Sequence, residues 1–323
     1  MKVLVNQIIK QLLNGLPDRQ REVLELRYGL TRPETATLAE IGDKYGVTRE
    51  RIRQLESLAL RDVREVVSKT ELPQFVKLVS EKLDSVGGVM KEDQLFLGLQ
   101  PVVGGTPNAL RFVLEISNAV FQHREDNHLH TFWYLNEDSK KKAASFIDKL
   151  HQSLQAKKDS LPAPTDSMSL NFVSVSKKFA VNPYGDFGLS EWAHIIPRNA
   201  RDWAYLILKR NNKPLHFSEI AEAVTKLRGK KTNPQTVHNE LIKYPEFVLV
   251  GKGTYALSEM GYQPGVAWEV INRLIKENGP LTSKQVVEKV LNERIFKENT
   301  ILINLQNKKR FKRLPDGRYA TLA

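Results

Sequence analysis

The sequence has no cysteine among its 323 residues. Disulfide bonds and cysteine-ligated zinc are therefore excluded, which suits a reducing compartment. No apolar run approaches the roughly 20 residues that a membrane-spanning helix needs. The first residues, MKVLVNQIIKQLLNGLP, contain too many polar side chains for a convincing signal peptide. We therefore expect a cytoplasmic protein without a membrane segment.

Catalytic motifs are also lacking. The two Gly-Gly pairs are not followed by the Gly-Lys-Ser/Thr of a phosphate-binding loop, and neither a nuclease core nor a Ser/His/Asp set is evident. His123, His128 and His130 lie close together, but Glu125 and Asp126 are the only acidic neighbours. A polar hairpin explains these histidines better than a metal site does. We predict no enzymatic activity, no cofactor and no bound metal.

Positive charge is abundant and unevenly distributed. The formal net charge is +12, and most of the excess lies in residues 201–323. Such a bias indicates a nucleic-acid partner or, alternatively, an acidic protein surface.

Residues 38–56 have the pattern of a helix-turn-helix. Gly46 stands where the turn requires a positive φ, which glycine adopts without steric cost. Gly42 carries no side chain that would hold the two helices apart. The apolar positions that join the two helices are Leu38, Ile41, Val47, Ile52 and Leu55.

Apart from its apolar positions, the second helix of this motif consists of residues with long polar side chains. It lies within VTRERIRQLE at 47–56. One explanation is a solvated helix with salt bridges. However, Arg49 and Arg53 are four residues apart, where like charges repel by roughly 0.2–0.5 kcal/mol. Arginine, glutamine and glutamate are also the residues that pair with guanine, adenine and cytosine. We therefore favour a helix that lies in the DNA major groove.

Residues 16–64, LPDRQREVLELRYGL…TLAEIGDKYGVTRERIRQLESLALRDVR, resemble region 4 of bacterial sigma-70-type factors, which recognises the promoter −35 element. The resemblance implies base contacts on one short stretch of helix, and the predicted base-reading residues are Arg49, Glu50, Arg53 and Gln54. The predicted DNA-backbone contacts are Arg19, Arg27, Thr37, Leu38, Thr48 and Arg51. Many family members carry lysines where this chain has Leu58 and Asp62.

The resemblance further implies docking on the RNA polymerase flap through apolar positions such as Leu16, Val23, Leu24 and Tyr28. RNA polymerase core is therefore an expected partner beside double-stranded DNA. No stretch resembles the aromatic-rich segment that opens the −10 element, so we expect that the protein does not start transcription alone.

The last third contains an internal repeat. Residues 201–257 align with 266–322, with Pro214 opposite Pro280 and Tyr255 opposite Tyr319. Each copy predicts three helices, a short extended step after the first helix, and a final hairpin; Pro-Asp-Gly at 315–317 is a strong turn signal. This order is typical of a winged helix-turn-helix. The first copy, with PLHFSEIAEAV and GKGTYAL, resembles the HARE-type winged helix, also found in the RNA polymerase delta subunit, and the second is a diverged relative.

Two basic runs in these copies are candidates for secondary DNA contacts, because lysine and arginine near recognition helices and wings commonly touch phosphates. The alternative for each run is a solvated basic loop. The residues concerned are Lys230, Lys231, Lys309, Arg310, Lys312, Arg313 and Arg318.

The sequence thus predicts a mainly α fold: a helix-turn-helix followed by two or three winged helices with small β-hairpin wings. The expected segments are a region-4-like domain (1–70), a diverged winged helix (71–136), a helix and linker (137–170), a segment docked on the next domain (171–200), a first repeat (201–259) and a second repeat (260–323). The expected role is sequence-specific promoter recognition. The alternatives are an RNA polymerase accessory subunit that acts through protein contacts and the DNA-binding subunit of a restriction or modification system.

Overall fold

The computed structural model describes residues 4–322 and is mainly helical with small antiparallel sheets, which confirms the predicted fold class. The chain divides into two compact units. The N-terminal unit extends to Ala180 and includes Phe187–Leu189, and the C-terminal unit contains Val181–Asp186 and the chain from Ser190 onward. Within the described part of the chain, no helix is long and apolar enough to cross a membrane.

The elements of the N-terminal unit follow the order predicted for a helix-turn-helix and a winged helix. The helices are α1 (Val5–Leu13), α2 (Asp18–Tyr28), α3 (Leu38–Tyr45), α4 (Arg49–Val66), α5 (Leu72–Asp84), α6 (Glu92–Val103), α7 (Pro107–Ser117), α8 (Glu137–Lys157) and α9 (Ser167–Ser174). The strands are β1 (Val89–Lys91), β2 (Phe121–His123), β3 (Phe132–Tyr134), β4 (Phe179–Val181) and β5 (Phe187–Leu189).

One hydrophobic core runs through both predicted N-terminal domains. Leu24 of α2 and Val63 of α4 belong to the same buried cluster as Phe75 of α5 and Phe112 of α7. Helix α1 adds its apolar stripe to this cluster, because five of its nine residues are buried. Residues on both sides of the predicted boundary at residue 70 therefore share one buried cluster. The sequence shows that these stripes need partners, but only the tertiary fold shows that they share one.

A three-stranded sheet, β1–β3–β2, lies in the segment for which the sequence predicts a diverged winged helix. Glu92, at the start of α6, accepts hydrogen bonds from Arg111 of α7 (2.5 Å), Gln122 of β2 (2.7 Å) and Trp133 of β3 (3.1 Å). A carboxylate with several charged or polar donors is well satisfied away from water. This contact fixes the wing to the helices that precede it.

The predicted docked segment at 171–200 is divided between the two units. Asn171 of α9 is buried and donates hydrogen bonds to the carbonyl oxygens of Val86 and Val89, and Phe172 packs on Phe146 of α8. These contacts lie in the N-terminal unit. Phe172 thereby covers the part of α8 that contains Phe146.

The C-terminal unit contains the two repeats. Its helices are α10 (Ala200–Asn211), α11 (Phe217–Arg228), α12 (Pro234–Lys243), α13 (Ala267–Asn278), α14 (Ser283–Glu293) and α15 (Glu298–Leu305). Its strands are β6 (Leu215–His216), β7 (Phe247–Gly251), β8 (Thr254–Leu257), β9 (Phe311–Arg313) and β10 (Tyr319–Thr321).

The repeat seen in the sequence has a structural counterpart. Leu215 pairs with Tyr255 in the first copy, and Leu281 pairs with Tyr319 in the second, so the residue after each aligned proline meets the aligned tyrosine. Each copy has its own hydrophobic core. The two copies therefore fold as similar helical domains with a terminal hairpin.

Candidate nucleic-acid interface

Helix α3 begins and ends at the residues that the sequence indicated. The Thr37 hydroxyl accepts a hydrogen bond from the Glu40 amide (3.2 Å), and the Glu40 carboxylate accepts one from the Thr37 amide (2.7 Å). This reciprocal cap satisfies backbone donors that an open helix end leaves free. Gly46 ends the helix with φ of +65°, as expected for glycine in this position.

The turn between α3 and α4 is tightly closed. A Cβ atom at Gly42 would lie 2.6 Å from the Val47 carbonyl oxygen, so no side chain fits there without movement. Ile41 and Ile52 are almost completely buried in the small core between the helices. Thr48 caps α4 by accepting a hydrogen bond from the Arg51 amide. The helix is thereby held at one angle, with its polar residues outward.

The four predicted base-reading residues lie together on the first two turns of α4, and all are exposed. Arg53 donates to both carboxylate oxygens of Glu50, through Nε at 2.9 Å and Nη2 at 2.7 Å. Arg51 Nη1 donates to the Gln54 side-chain oxygen at 3.1 Å. Within residues 4–322, Arg49 has no hydrogen bond or ion pair from its side chain.

These pairs correct one argument drawn from the sequence. The like charges of Arg49 and Arg53 favour a polyanionic partner in the sequence, but Glu50 lies between them and forms an ion pair with Arg53. The hydrogen bonds from Arg53 lower the pKa of the Glu50 carboxyl, so this residue is ionised near neutral pH. The ion pair with Glu50 thus offsets the repulsion within the helix. DNA reading is supported instead by the types of the exposed residues and by their positions on α4.

The residues predicted to contact the DNA backbone differ in whether their side chains are already engaged within the protein. Arg19 is exposed, with its guanidinium 5.0 Å from the centre of the Tyr45 ring. Arg27 is engaged internally, because Nη1 donates to the Ala36 carbonyl oxygen (3.2 Å) and Nε lies 3.5 Å from Glu56.

The remaining backbone candidates lie at the helix starts. Thr37 and Thr48 are caps, Leu38 opens α3 and Arg51 is exposed. Free helix amides at such positions favour phosphate.

Sequence reasoning missed Tyr45 and Glu56. Tyr45 supports the guanidinium of Arg19, and Glu56 holds Arg27 in place. In the sequence, the signal for Tyr45 was an aromatic residue directly before the turn glycine, Gly46. The contact of Glu56 joins α2 to α4, and no local pattern in the sequence reports it.

The apolar positions assigned to polymerase docking are occupied within this chain. Leu16, Val23 and Leu24 are buried, and Tyr28 packs edge-on against Phe112, with ring centres 4.9 Å apart. Burial raises the pKa of Tyr28 to about 12. Leu16 and Leu24 share one cluster with residues of α1, α5 and α7, and Val23 lies in the small core with Ile41 and Ile52, so these three side chains are not exposed for docking in the folded N-terminal unit.

The secondary DNA-contact candidates of the C-terminal unit fall into two groups. Lys230, Lys231, Lys309, Lys312 and Arg313 are exposed. The other two candidates are held by neighbours: the Arg310 guanidinium lies 3.7 Å from the centre of the Trp268 ring, and Arg318 Nε donates to Asp316 at 2.7 Å. Lys308, in the same basic run, is exposed beside Lys309.

The histidines at 123–130 form part of a hairpin. His123 Nε2 lies 3.0 Å from Asp126, and the other oxygen of Asp126 accepts hydrogen bonds from the amides of His128 and Leu129. These backbone bonds lower the pKa of Asp126 to about 2. Among residues 4–322, no three histidine, cysteine or acidic side chains are grouped to hold a metal ion.

Comparison with known proteins places one part of the chain. Residues 12–65 match the family described as Sigma-70, region 4. The RNA polymerase sigma factor SigA of Listeria monocytogenes and that of Listeria innocua are each 43% identical to this chain over 74 residues. The aligned stretch is 23% of this chain but only 20% of each relative. The region-4 resemblance is thus confirmed for the helix-turn-helix, and the HARE-type resemblance of the repeats stays a prediction.

Proposed function

We propose that this protein is a sequence-specific DNA-binding factor that recognises a −35-type promoter element in duplex DNA through α4. The observation that carries the proposal is the group of four exposed polar residues on the first two turns of α4, in a helix fixed by a closed turn. This group lies inside the stretch that matches sigma-70 region 4.

Each residue has a definite task in the proposed complex. Arg49 is unpaired and reads a guanine through O6 and N7, the geometry that suits a guanidinium fork. Gln54 reads adenine when it exchanges its contact with Arg51 for the base edge. Glu50 either accepts from cytosine N4 or holds Arg53 in place, since both uses employ the same carboxylate.

The backbone contacts set the register. Arg19 and Arg51 reach phosphates as charged side chains, and the start of α3 at Thr37 and Leu38 offers amides. Arg27 acts indirectly, because its guanidinium secures the loop before α3. The protein acts by binding and not by catalysis, and its place of action is the cytoplasm, where bacterial DNA is transcribed.

A second candidate function is an accessory role on RNA polymerase core. The names of the matched relatives, both RNA polymerase sigma factors, favour it. Such a role would have to use a surface other than the one containing Leu16, Leu24 and Tyr28, because that surface is buried. The DNA-reading proposal needs no rearrangement of the N-terminal unit and is therefore preferred.

The test is selection of bound sequences from a randomised duplex library by the full chain at about 150 mM salt, where phosphate contacts alone are weakened. The Arg49→Ala/Gln54→Ala variant should lose the selected consensus. The matched control is Arg64→Ala, which removes an exposed arginine near the other end of α4 and should keep the consensus. Binding without any consensus, unchanged in the double variant, would refute promoter reading.

A further inference from the structure

The two wings of the C-terminal unit have different surroundings. In the first repeat, β8 is paired on one side with β6 and on the other with β7. The outer edge of β7 is also occupied, because the Ile295 amide donates to the Val250 carbonyl oxygen at 2.8 Å. Val248 and Val250 are buried with Ala256 in a separate small cluster on this sheet. The first wing is therefore part of the joint between the repeats.

The wing of the second repeat is the hairpin of β9 with β10, and Tyr319 of β10 also pairs with Leu281, as Tyr255 does with Leu215 in the first repeat. Its residues Lys312 and Arg313 are exposed, and Lys308 and Lys309 are exposed in the loop before it. In the region that the structure covers, none of these four side chains forms an ion pair or a hydrogen bond. From residue 299 to residue 315 the chain has no acidic side chain. Within six residues of sequence, four positive charges thus have no ion-pair partner in the described part of the chain.

Two ordinary explanations account for only part of this cluster. Lysines on an exposed strand can protect its edge from pairing with another chain, but Lys308 and Lys309 lie outside the strand. Charge for solubility would be interspersed with acidic residues, as it is on α14. A local excess of one sign fits a polyanion, and lysines and arginines on such a surface commonly contact phosphates.

We propose that the second repeat provides a sequence-independent contact to the phosphate backbone of duplex DNA, through Lys308, Lys309, Lys312 and Arg313, and that the first repeat is its scaffold. Arg310 and Arg318 are excluded from this contact because Trp268 and Asp316 hold them. Lys230 and Lys231 lie in the loop between α11 and α12 of the first repeat and not on a hairpin, so they are not part of the proposed contact. The inference rests on the proposed function for the identity of the partner as DNA.

The experiment measures the salt dependence of binding to a labelled duplex that lacks the selected consensus. Each phosphate contact contributes about 0.9 to the slope of log affinity against log salt. In the full chain, Lys312→Ala/Arg313→Ala should reduce the slope by about 2 and weaken binding roughly tenfold or more at 0.1 M salt. Lys308→Ala/Lys309→Ala, outside the strands, should act in the same direction.

The matched control is Lys230→Ala/Lys231→Ala, which removes the same charge from the same unit and should leave the slope nearly unchanged. An unchanged slope in the Lys312→Ala/Arg313→Ala variant would overturn the proposal and favour an acidic protein as the partner. An equal loss in the control would overturn it too, since net charge alone would then explain binding. Repeating the series in the Arg49→Ala/Gln54→Ala background separates this result from failure of promoter reading, because the consensus plays no part here.

Discussion

The α4 helix and the second wing both present exposed basic residues, but they hold them differently. On α4, Arg53 and Arg51 are paired with Glu50 and Gln54, on a helix whose buried side is fixed by Ile52. On the second wing, Lys312 and Arg313 have no partner within residues 4–322. Reading a base requires a side chain at a set position, whereas contacting a phosphate requires only available charge. The difference suggests that specificity and salt-dependent affinity are assigned to separate parts of the chain.

The largest expected effect comes from removing the support of α4. Ile52→Ala empties a fully buried position and should lower the free energy of unfolding of the N-terminal unit by about 2–5 kcal/mol, with loss of consensus binding. Ile303→Ala, the same change at a residue 69% exposed on α15, should alter stability by less than about 0.5 kcal/mol. Denaturant unfolding of the full chain followed by circular dichroism measures both. Equal shifts would show that α4 is not held by this core.

The second prediction compares single contacts in the two regions. Arg49→Ala should cost about 1–3 kcal/mol of discrimination between the consensus and a sequence with its guanine replaced, with a smaller loss on unrelated DNA. Lys312→Ala should instead weaken binding to both sequences by the same factor. Fluorescence anisotropy titrations with the two duplexes measure the effects. If Arg49→Ala weakened both duplexes equally, Arg49 would be a phosphate contact and not a base reader.

The third prediction concerns the covered apolar face behind α4. Burial, aided by the negative charges of Glu56 and Glu115, raises the pKa of Tyr28 to about 12, against about 10 in the unfolded chain. The protonated hydroxyl therefore makes its full contribution to the free energy of unfolding below pH 10, and this contribution is lost as the pH rises from 10 to 12. Over this pH range, the free energy of unfolding of the N-terminal unit should fall by up to about 2 kcal/mol more in the wild type than in Tyr28→Phe. The transition to follow is the one that Ile52→Ala shifts.

Tyr45 has a pKa raised to about 12 as well, so Tyr45→Phe is the companion variant. Denaturant unfolding at pH 8, 10 and 11.5 provides the measurement. Parallel pH profiles for wild type and Tyr28→Phe would mean that the face between α2 and α7 opens to water. This face would then be accessible to a docking partner.

The smallest expected effect is that of Glu50. Glu50→Gln keeps the size of the side chain but removes the charge that holds Arg53, and exposed ion pairs contribute little to stability. We expect no measurable change in unfolding and a change in base preference weaker than that of Arg49→Ala. Selection from the randomised library checks this. A complete loss of consensus would instead make Glu50 a base reader in its own right.

The local features of the helix-turn-helix were predictable because they depend on neighbours in sequence. Thr37 and Glu40 form a cap three residues apart, and Gly46 has the backbone conformation that its turn requires. The pairing of Glu50 with Arg53 is equally local, and it is the kind of salt bridge that the alternative of a solvated helix implied. The alignment of Pro214 with Pro280 likewise predicted an extended step in both copies, and the structure shows which residues pair with it, Tyr255 with Leu215 and Tyr319 with Leu281.

What the sequence determined by itself was the kind of element at each place and the residues available for contact with DNA. Periodicity, caps and turns act over a few residues, so a single chain segment reveals them. Only the tertiary structure decided that Leu24 and Tyr28 are covered by α7, that α9 packs on α8, and that Ile295 occupies the edge of the first wing. An apolar stripe must be buried and a strand edge can be paired, but the local sequence does not say which segment does so. Many segments could serve equally well, and the partner is determined by the packing of the whole fold.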